Sequence, residues 1–186
     1  MRVSPALRMS VVKRGEKEQK LVAFLSRHFA GGQDRQPPSG HEILLIARSI
    51  KSPLVKAIVS QAPQIAAAGR SLRAILALAD REALPPGWSI ADAVRIDCEV
   101  RWAKNRRLLE AHEQLVLGRD TCWTGDSMRR DPAKCDAYET FVEGDAATTA
   151  SACVSFERLW VASEPLLPPA PLPRRSVEPT ATARGR

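Results

Sequence analysis

The chain has 186 residues, 44% of them apolar, and a net charge of +7; that suits one domain with its own core, plus flanks. No run approaches the roughly 18 apolar residues a membrane-spanning helix needs, and the basic N-terminus lacks the apolar stretch of a signal peptide, so a cytoplasmic location is expected. The cysteines Cys98, Cys122, Cys135 and Cys153 form no CxxC pair and no histidine cluster accompanies them, which argues against zinc and for free thiols in a reducing compartment.

Residues 1–14 form a basic flank with four basic residues and no acid. Over residues 16–29 the apolar positions Leu21, Phe24, Leu25 and Phe29 recur at three and four, the spacing of an amphipathic helix. Gly31-Gly32 ends it, and residues 33–40 read as a loop. Residues 43–47 (Ile-Leu-Leu-Ile-Ala) are a short continuous apolar run, as in a strand buried on both faces. Ser52-Pro53 starts a helix with a capping hydroxyl and a proline at its first position. Pro63 is a place for a kink and Gly69 for a stop. Residues 72–78 make a second apolar strand, completing a βαβ unit.

Pro85-Pro86-Gly87 marks a turn. Beyond it, residues 98–103 alternate as a strand does, and 115–117 and 121–124 form a hairpin around Gly118-Arg119-Asp120. Residues 137–142 are a further strand. Asp145 caps a last helix that runs to about residue 163, with Ala152, Cys153, Phe156, Leu159 and Trp160 as its core stripe. Residues 165–186 hold six prolines, four arginines and one acid, the composition of a disordered tail. The span between the two flanks has twenty basic and twenty acidic residues, so the excess charge sits in the flanks. The centre lacks the overall basic signature of a nucleic-acid binder. The expected organisation is a flank (1–14), an α/β domain (15–164) with a mixed, largely parallel sheet flanked by helices, and a tail (165–186).

From Leu108 to Trp160 the sequence reads LLEAHEQLVLGRDTCWTGDSMRRD, then CDAYETFVEGD, then SFERLW. This layout resembles one half of the phospholipase D superfamily, whose motif is His-x-Lys-x4-Asp. In that family the motif strand is followed by a strand ending near Gly-Ser-x-Asn, a strand carrying glutamate, and a helix ending Phe-x-x-x-Trp. The resemblance covers roughly residues 20–165. It implies a metal-independent phosphodiesterase without cofactor, in which histidine attacks phosphorus, lysine stabilises the phosphoryl oxygens and an acid orients the histidine.

Position by position, the resemblance makes His112 the nucleophile, with Ser127 and Glu139 as further catalytic positions. Gln114 stands where lysine belongs and Arg119 where aspartate belongs, with Asp120 one residue late and Met128 near the asparagine position. Gln114, Arg119, Arg129 and Arg130 are then the phosphate-binding candidates. Glutamine brings no charge, and arginine for aspartate reverses one, so the motif is degenerate. The expected function is a phospholipase D-like domain that binds phosphate or phosphodiesters, or scaffolds, without catalysis. The alternative is a residual nuclease or phospholipase acting through His112. The ligand is expected to carry phosphate, as in nucleic acid or a phospholipid headgroup. A single-motif half also implies a homodimer, each protomer giving one histidine to a shared cleft. Trp123 and Trp160 read as core aromatics.

Overall fold

The computed structural model describes residues 8–30, 42–77, 96–104, 110–128 and 136–166. They form a single eight-stranded sheet covered by helices on both faces. The strands are β1 (Arg8–Lys13), β2 (Glu42–Ala47), β3 (Ser71–Leu76), β4 (Cys98–Trp102), β5 (His112–Val116), β6 (Thr121–Ser127), β7 (Asp136–Glu143) and β8 (Glu164–Pro165), in spatial order β1-β7-β6-β5-β2-β3-β4-β8. The helices are α1 (Lys17–Ala30), α2 (Pro53–Ser60), α3 (Ala62–Ala67) and α4 (Ala146–Val161).

The α/β class and mixed sheet agree with the sequence reading, but the balance of pairings differs. Among the described ladders two are parallel, β2–β3 and β3–β4, and five are antiparallel. The βαβ unit does supply the parallel part. The expectation of a largely parallel sheet extended that unit too far: β5, β6 and β7 follow one another antiparallel, and β5 runs against β2. A hairpin reverses direction at each turn, so it adds antiparallel neighbours.

Strand β2 shows why its sequence is apolar throughout. Ile43, Leu45 and Ala47 join the cluster under α1, α2 and α3, with Phe24, Leu54, Ile58, Leu115 and Trp123. Leu44 and Ile46 join the opposite cluster, with Val116, Cys122, Phe156 and Trp160 of α4. Successive side chains point to opposite faces, so a strand covered twice needs no polar position. Trp123 and Trp160 are core residues, as expected.

Local signals hold in most places. Asp145 accepts from the amides of Ala147 and Thr148 and caps α4. Gly69 closes α3 with a φ of 61°, a left-handed conformation that glycine adopts without steric cost. The expected helix over 53–68 is split at Gln61, two residues before Pro63, which has no N–H to donate. Ser52 precedes α2 but its hydroxyl takes the amide of Ser49 rather than one of the helix.

Both flanks reach into the sheet. Part of the basic N-terminal stretch is β1, an edge strand on β7 with Val12 buried. At the other side Glu164–Pro165 pairs with β4, and Leu166 is buried. The turn at 85–87, the loop at 33–40 and residues 167–186 lie outside the described residues. Among those described, no helix is long and apolar enough to cross a membrane, and Cys98, Cys122 and Cys153 are free thiols.

Candidate functional site

Two of the residues singled out by the sequence, His112 and Ser127, stand at one end of the sheet. The C-terminal ends of β2, β3, β4 and β6 meet there with the N-terminal ends of β5 and β7, as the registers require. His112 opens β5 and is paired across the ladder with Ser127, the last residue of β6. Gln114 pairs with Thr124, so two steps on β5 face three on β6. That irregularity is a bulge, which locally re-aims side chains.

His112 is exposed. Its Nδ1 lies 2.8 Å from the carbonyl oxygen of Gly125. A carbonyl only accepts, so Nδ1 carries the proton and donates; in the neutral ring Nε2 then keeps its lone pair. Ser127 donates its amide to Oδ1 of Asp126 at 2.8 Å.

Gln114 does not share a functional group with His112. It is buried on the α4 side of the sheet, and its Nε2 donates to the carbonyl of Ala152 at 2.7 Å. Its amide ties the strand to the helix. Arg119 lies beyond the far end of β5, an exposed residue in the turn before β6. A five-residue strand spans about 16 Å, so that turn and His112 stand at opposite ends of the sheet. Arg129 and Arg130 lie outside the described residues.

The α1 side of the same end holds a cluster that the sequence reading did not single out. Lys17, in the first turn of α1, sets its Nζ 2.8 Å from Oε2 of Glu113 and 3.1 Å from Oε1 of Glu139. The ammonium also lies 5.0 Å from the centre of the Trp123 ring. Trp123 donates Nε1 to Oε2 of Glu139 at 3.1 Å. Glu113 accepts, through Oε1, the backbone amide of Arg48 at 3.3 Å. Glu139, expected beside the histidine, is wholly buried in this cluster. Behind it the indole needs Gly125: a Cβ there would stand 2.4 Å from Cη2 of Trp123.

The charges oppose one another. Burial pulls the Lys17 ammonium down, but the carboxylates of Glu113 and Glu139 outweigh it and hold its pKa above the ordinary 10.5. Burial pushes the Glu139 carboxyl above the ordinary 4.5, although Lys17 and Trp123 pull it the other way. With all three groups ionised, the cluster carries two negative charges against one positive. It neutralises itself in part and offers no free cation to a phosphoryl group.

Little in the sequence marks Lys17 or Glu113. Lys17 stands between Glu16 and Glu18, and Glu113 between His112 and Gln114, the usual look of a solvated face. Only the covering of the sheet by α1 turns them inward.

No family model matches the chain, and no curated protein matches it. Several solved structures do resemble it in shape. Nuc from Salmonella typhimurium, a phospholipase D family member, has a TM-score of 0.56 at 12% identity over 87% of this chain and 98% of Nuc. NucT from Helicobacter pylori has a TM-score of 0.51 at 10% identity, covering 86% of this chain and 99% of NucT. TrmBL2, an archaeal chromatin protein with a novel mode of DNA binding, has a TM-score of 0.52 at 16% identity over 86% of this chain and 54% of TrmBL2. At such identities the likeness is one of fold, and the fold of this chain is phospholipase D-like.

Proposed function

We propose that this chain is a phospholipase D-like domain that does not hydrolyse phosphodiesters and instead binds phosphate-bearing ligands or scaffolds. The observation that carries this reading is the fate of the lysine position. Gln114 is uncharged, buried and spent on the carbonyl of Ala152, while Lys17, in the cluster on the α1 side, is held by two glutamates. Phosphoryl transfer puts charge on the equatorial oxygens, and a missing cation there costs several kcal/mol of transition-state stabilisation, on the order of 3 kcal/mol per lost donor. TrmBL2, which has a like fold, is a chromatin protein that binds DNA, and this supports a binding role. Arg129 and Arg130, two and three residues past His112's partner Ser127 in the sequence, are the proposed phosphate contacts. The single-motif half supports a homodimer that brings two copies of His112 together.

A second reading has one observation in its favour. The bond from Nδ1 of His112 to Gly125 leaves Nε2 with the free lone pair, the state a nucleophile requires.

One set of assays separates the two. Purified chain and His112→Ala are incubated with bis-p-nitrophenyl phosphate and with single- and double-stranded DNA, with and without EDTA. The expected result is background hydrolysis by both. Metal-independent turnover that vanishes in His112→Ala overturns the non-catalytic reading. In parallel, fluorescence anisotropy with a labelled oligonucleotide is expected to show salt-sensitive binding, weakened when Arg129 and Arg130 are changed to alanine. Sedimentation tests the dimer.

A further inference from the structure

We infer that Trp123 is a positioning residue for His112: it holds the Gly125 carbonyl against Nδ1, so that the ring keeps one tautomer and presents Nε2 to a ligand. Three contacts link the two residues. The Gly125 carbonyl oxygen stands 2.8 Å from Nδ1 of His112. The six-membered ring of Trp123 covers Gly125 so closely that a Cβ there would meet Cη2 at 2.4 Å, Cζ2 at 2.6 Å and Cζ3 at 3.3 Å. The indole is fixed in turn by Nε1, which donates to Oε2 of Glu139 at 3.1 Å, and by the Lys17 ammonium 5.0 Å from its centre. Trp123 is 0% exposed, and in a close-packed interior a ring of that size has no room to swing away.

The backbone explains why such support is needed. Gln114 pairs with Thr124 and His112 with Ser127, so Gly125 and Asp126 of β6 both face Glu113 of β5. A glycine in a bulge is weakly constrained by its own backbone, and its carbonyl turns freely unless a neighbour holds it. On β6 the indole is that neighbour. On β5 the restraint is Glu113, next to His112, whose carboxylate takes the Lys17 ammonium at 2.8 Å and the Arg48 amide at 3.3 Å. Both strands of the bulge are thereby tied to Lys17, one through Glu113 and the other through Glu139 and Trp123.

The histidine is oriented by a dipole instead of an ion. Glu139, the acid that the phospholipase D-like layout puts beside the histidine, is engaged by Trp123 and Lys17. A carbonyl at Nδ1 fixes the rotation and tautomer of the ring without adding a charge. A histidine side chain free in water favours the proton on Nε2, so the tautomer at His112 is one the protein imposes and spectroscopy can read. Presenting Nε2 to a phosphate-bearing ligand rests on the binding role proposed above. The positioning itself does not, since it exists without ligand.

The test records long-range proton–nitrogen correlation spectra of the full chain labelled with nitrogen-15 histidine, at alkaline pH where imidazole is neutral. His112→Ala identifies the signals. In the wild type the form protonated on Nδ1 is expected to dominate. Trp123→Phe withdraws the ring from Gly125 and Gly125→Ala forces the two apart; each is expected to make that form the minor one. Glu139→Gln keeps an acceptor for the indole and is expected to keep the tautomer, whereas Glu139→Leu is expected to lose it. Asp145→Ala removes the cap of α4, loosens the fold away from these contacts and is expected to leave the tautomer as in the wild type. Cooperative thermal unfolding identifies the folded variants, and Gly125→Ala or Glu139→Leu carries the test if Trp123→Phe does not fold. The inference is overturned if the wild type carries its proton on Nε2, if the folded variants keep the wild-type tautomer, or if Asp145→Ala shifts it as much as they do. Inorganic phosphate at neutral pH is expected to move the His112 signals of the wild type, and to move them less in Trp123→Phe. The expected tautomer with no response to phosphate upholds the positioning and counts against the phosphate-binding role instead.

Discussion

Replacing Lys17 by methionine tests the buried charge cluster most directly. The ammonium stands 2.8 Å from Glu113 and 3.1 Å from Glu139, with side-chain exposures of 13%, 9% and 0% for the three groups. At an effective dielectric near 20, each contact is a gross attraction of about 5–6 kcal/mol. Desolvating the charges and the repulsion between the two glutamates offset much of that. Removing one partner of a buried pair nevertheless strands the others, at a typical cost of about 3–5 kcal/mol. A midpoint drop of roughly 6–20 °C follows for a domain of this size. Lys20→Met is the control: its partner Glu16 is 3.7 Å away and both side chains are exposed, so its loss is expected to cost about 1 kcal/mol or less.

Urea unfolding followed by tryptophan fluorescence reads the effect, because Trp123 lies in the cluster. Glu139→Gln in the Lys17→Met background removes one of the two stranded charges while keeping an acceptor for Trp123. The double variant is therefore expected to be more stable than Lys17→Met alone, by about 1–3 kcal/mol. The pH dependence has a definite sign. Burial already holds the Glu139 carboxyl above 4.5, and losing Lys17 removes the largest influence holding it down. Below 4.5 the group is protonated whether folded or unfolded, so the deficit of Lys17→Met should shrink as pH falls from 7 toward that value. In the wild type the Lys17 contribution is complete below 10.5 and is lost as pH rises through its raised pKa. A loss at pH 7 no larger than that of Lys20→Met, or a deficit that grows on acidification, refutes the account.

Three further outcomes are expected. Gly125→Ala drives a methyl to within 2.4 Å of the Trp123 ring, so it should cost about 1–3 kcal/mol and change the fluorescence of the folded state. Asp145→Ala should lower the melting temperature at neutral pH, and Asp145→Asn much less, since asparagine also caps well; hydrogen bonds from Thr148 hold the Asp145 carboxyl below 3.8, so the cap's contribution should disappear as pH falls through that lowered value. Burial pushes the Cys98 thiol up to about 12 against an ordinary 9.0, so mass-spectrometric mapping of alkylation at pH 8 should find it reacting about a thousandfold more slowly when folded than in urea.

The parts of the fold readable in the sequence are those whose signal is local. The apolar run at 43–47, the spacing of Leu21, Phe24 and Leu25 and the capping Asp145 each depend on neighbours a few residues away. Each appears in the structure as β2, α1 and the start of α4. What could not be read is pairing between distant strands. Nothing near residues 8–13 announces that they lie against β7, some 130 residues later. Their basic ends hide a strand whose buried residue, among the described side chains, is Val12. The direction of β5 against β2 is equally non-local, and it is what turns a sheet expected to be largely parallel into a mostly antiparallel one.

The candidate site turns on the phase of a single strand, which alternation fixes only once the covering helices are known. Glu113 faces α1 and Glu139, while Gln114 faces α4. Read from His112, the His-x-Lys-x4-Asp spacing meets Gln114 and Arg119. Read one residue later, on the face that Glu139 shares, it meets Glu113, Leu115 and Asp120. The first reading keeps the histidine and loses the lysine and the aspartate. The second recovers the aspartate but loses both the nucleophile and the lysine. No choice of register supplies a motif cation, since the position holds either a glutamine bonded to Ala152 or the wholly buried Leu115. A single lysine at that position is not expected to confer hydrolysis: Gln114→Lys places an ammonium among the apolar residues under α4, where burial opposes its charge, and should give a less stable protein with no gain in hydrolysis.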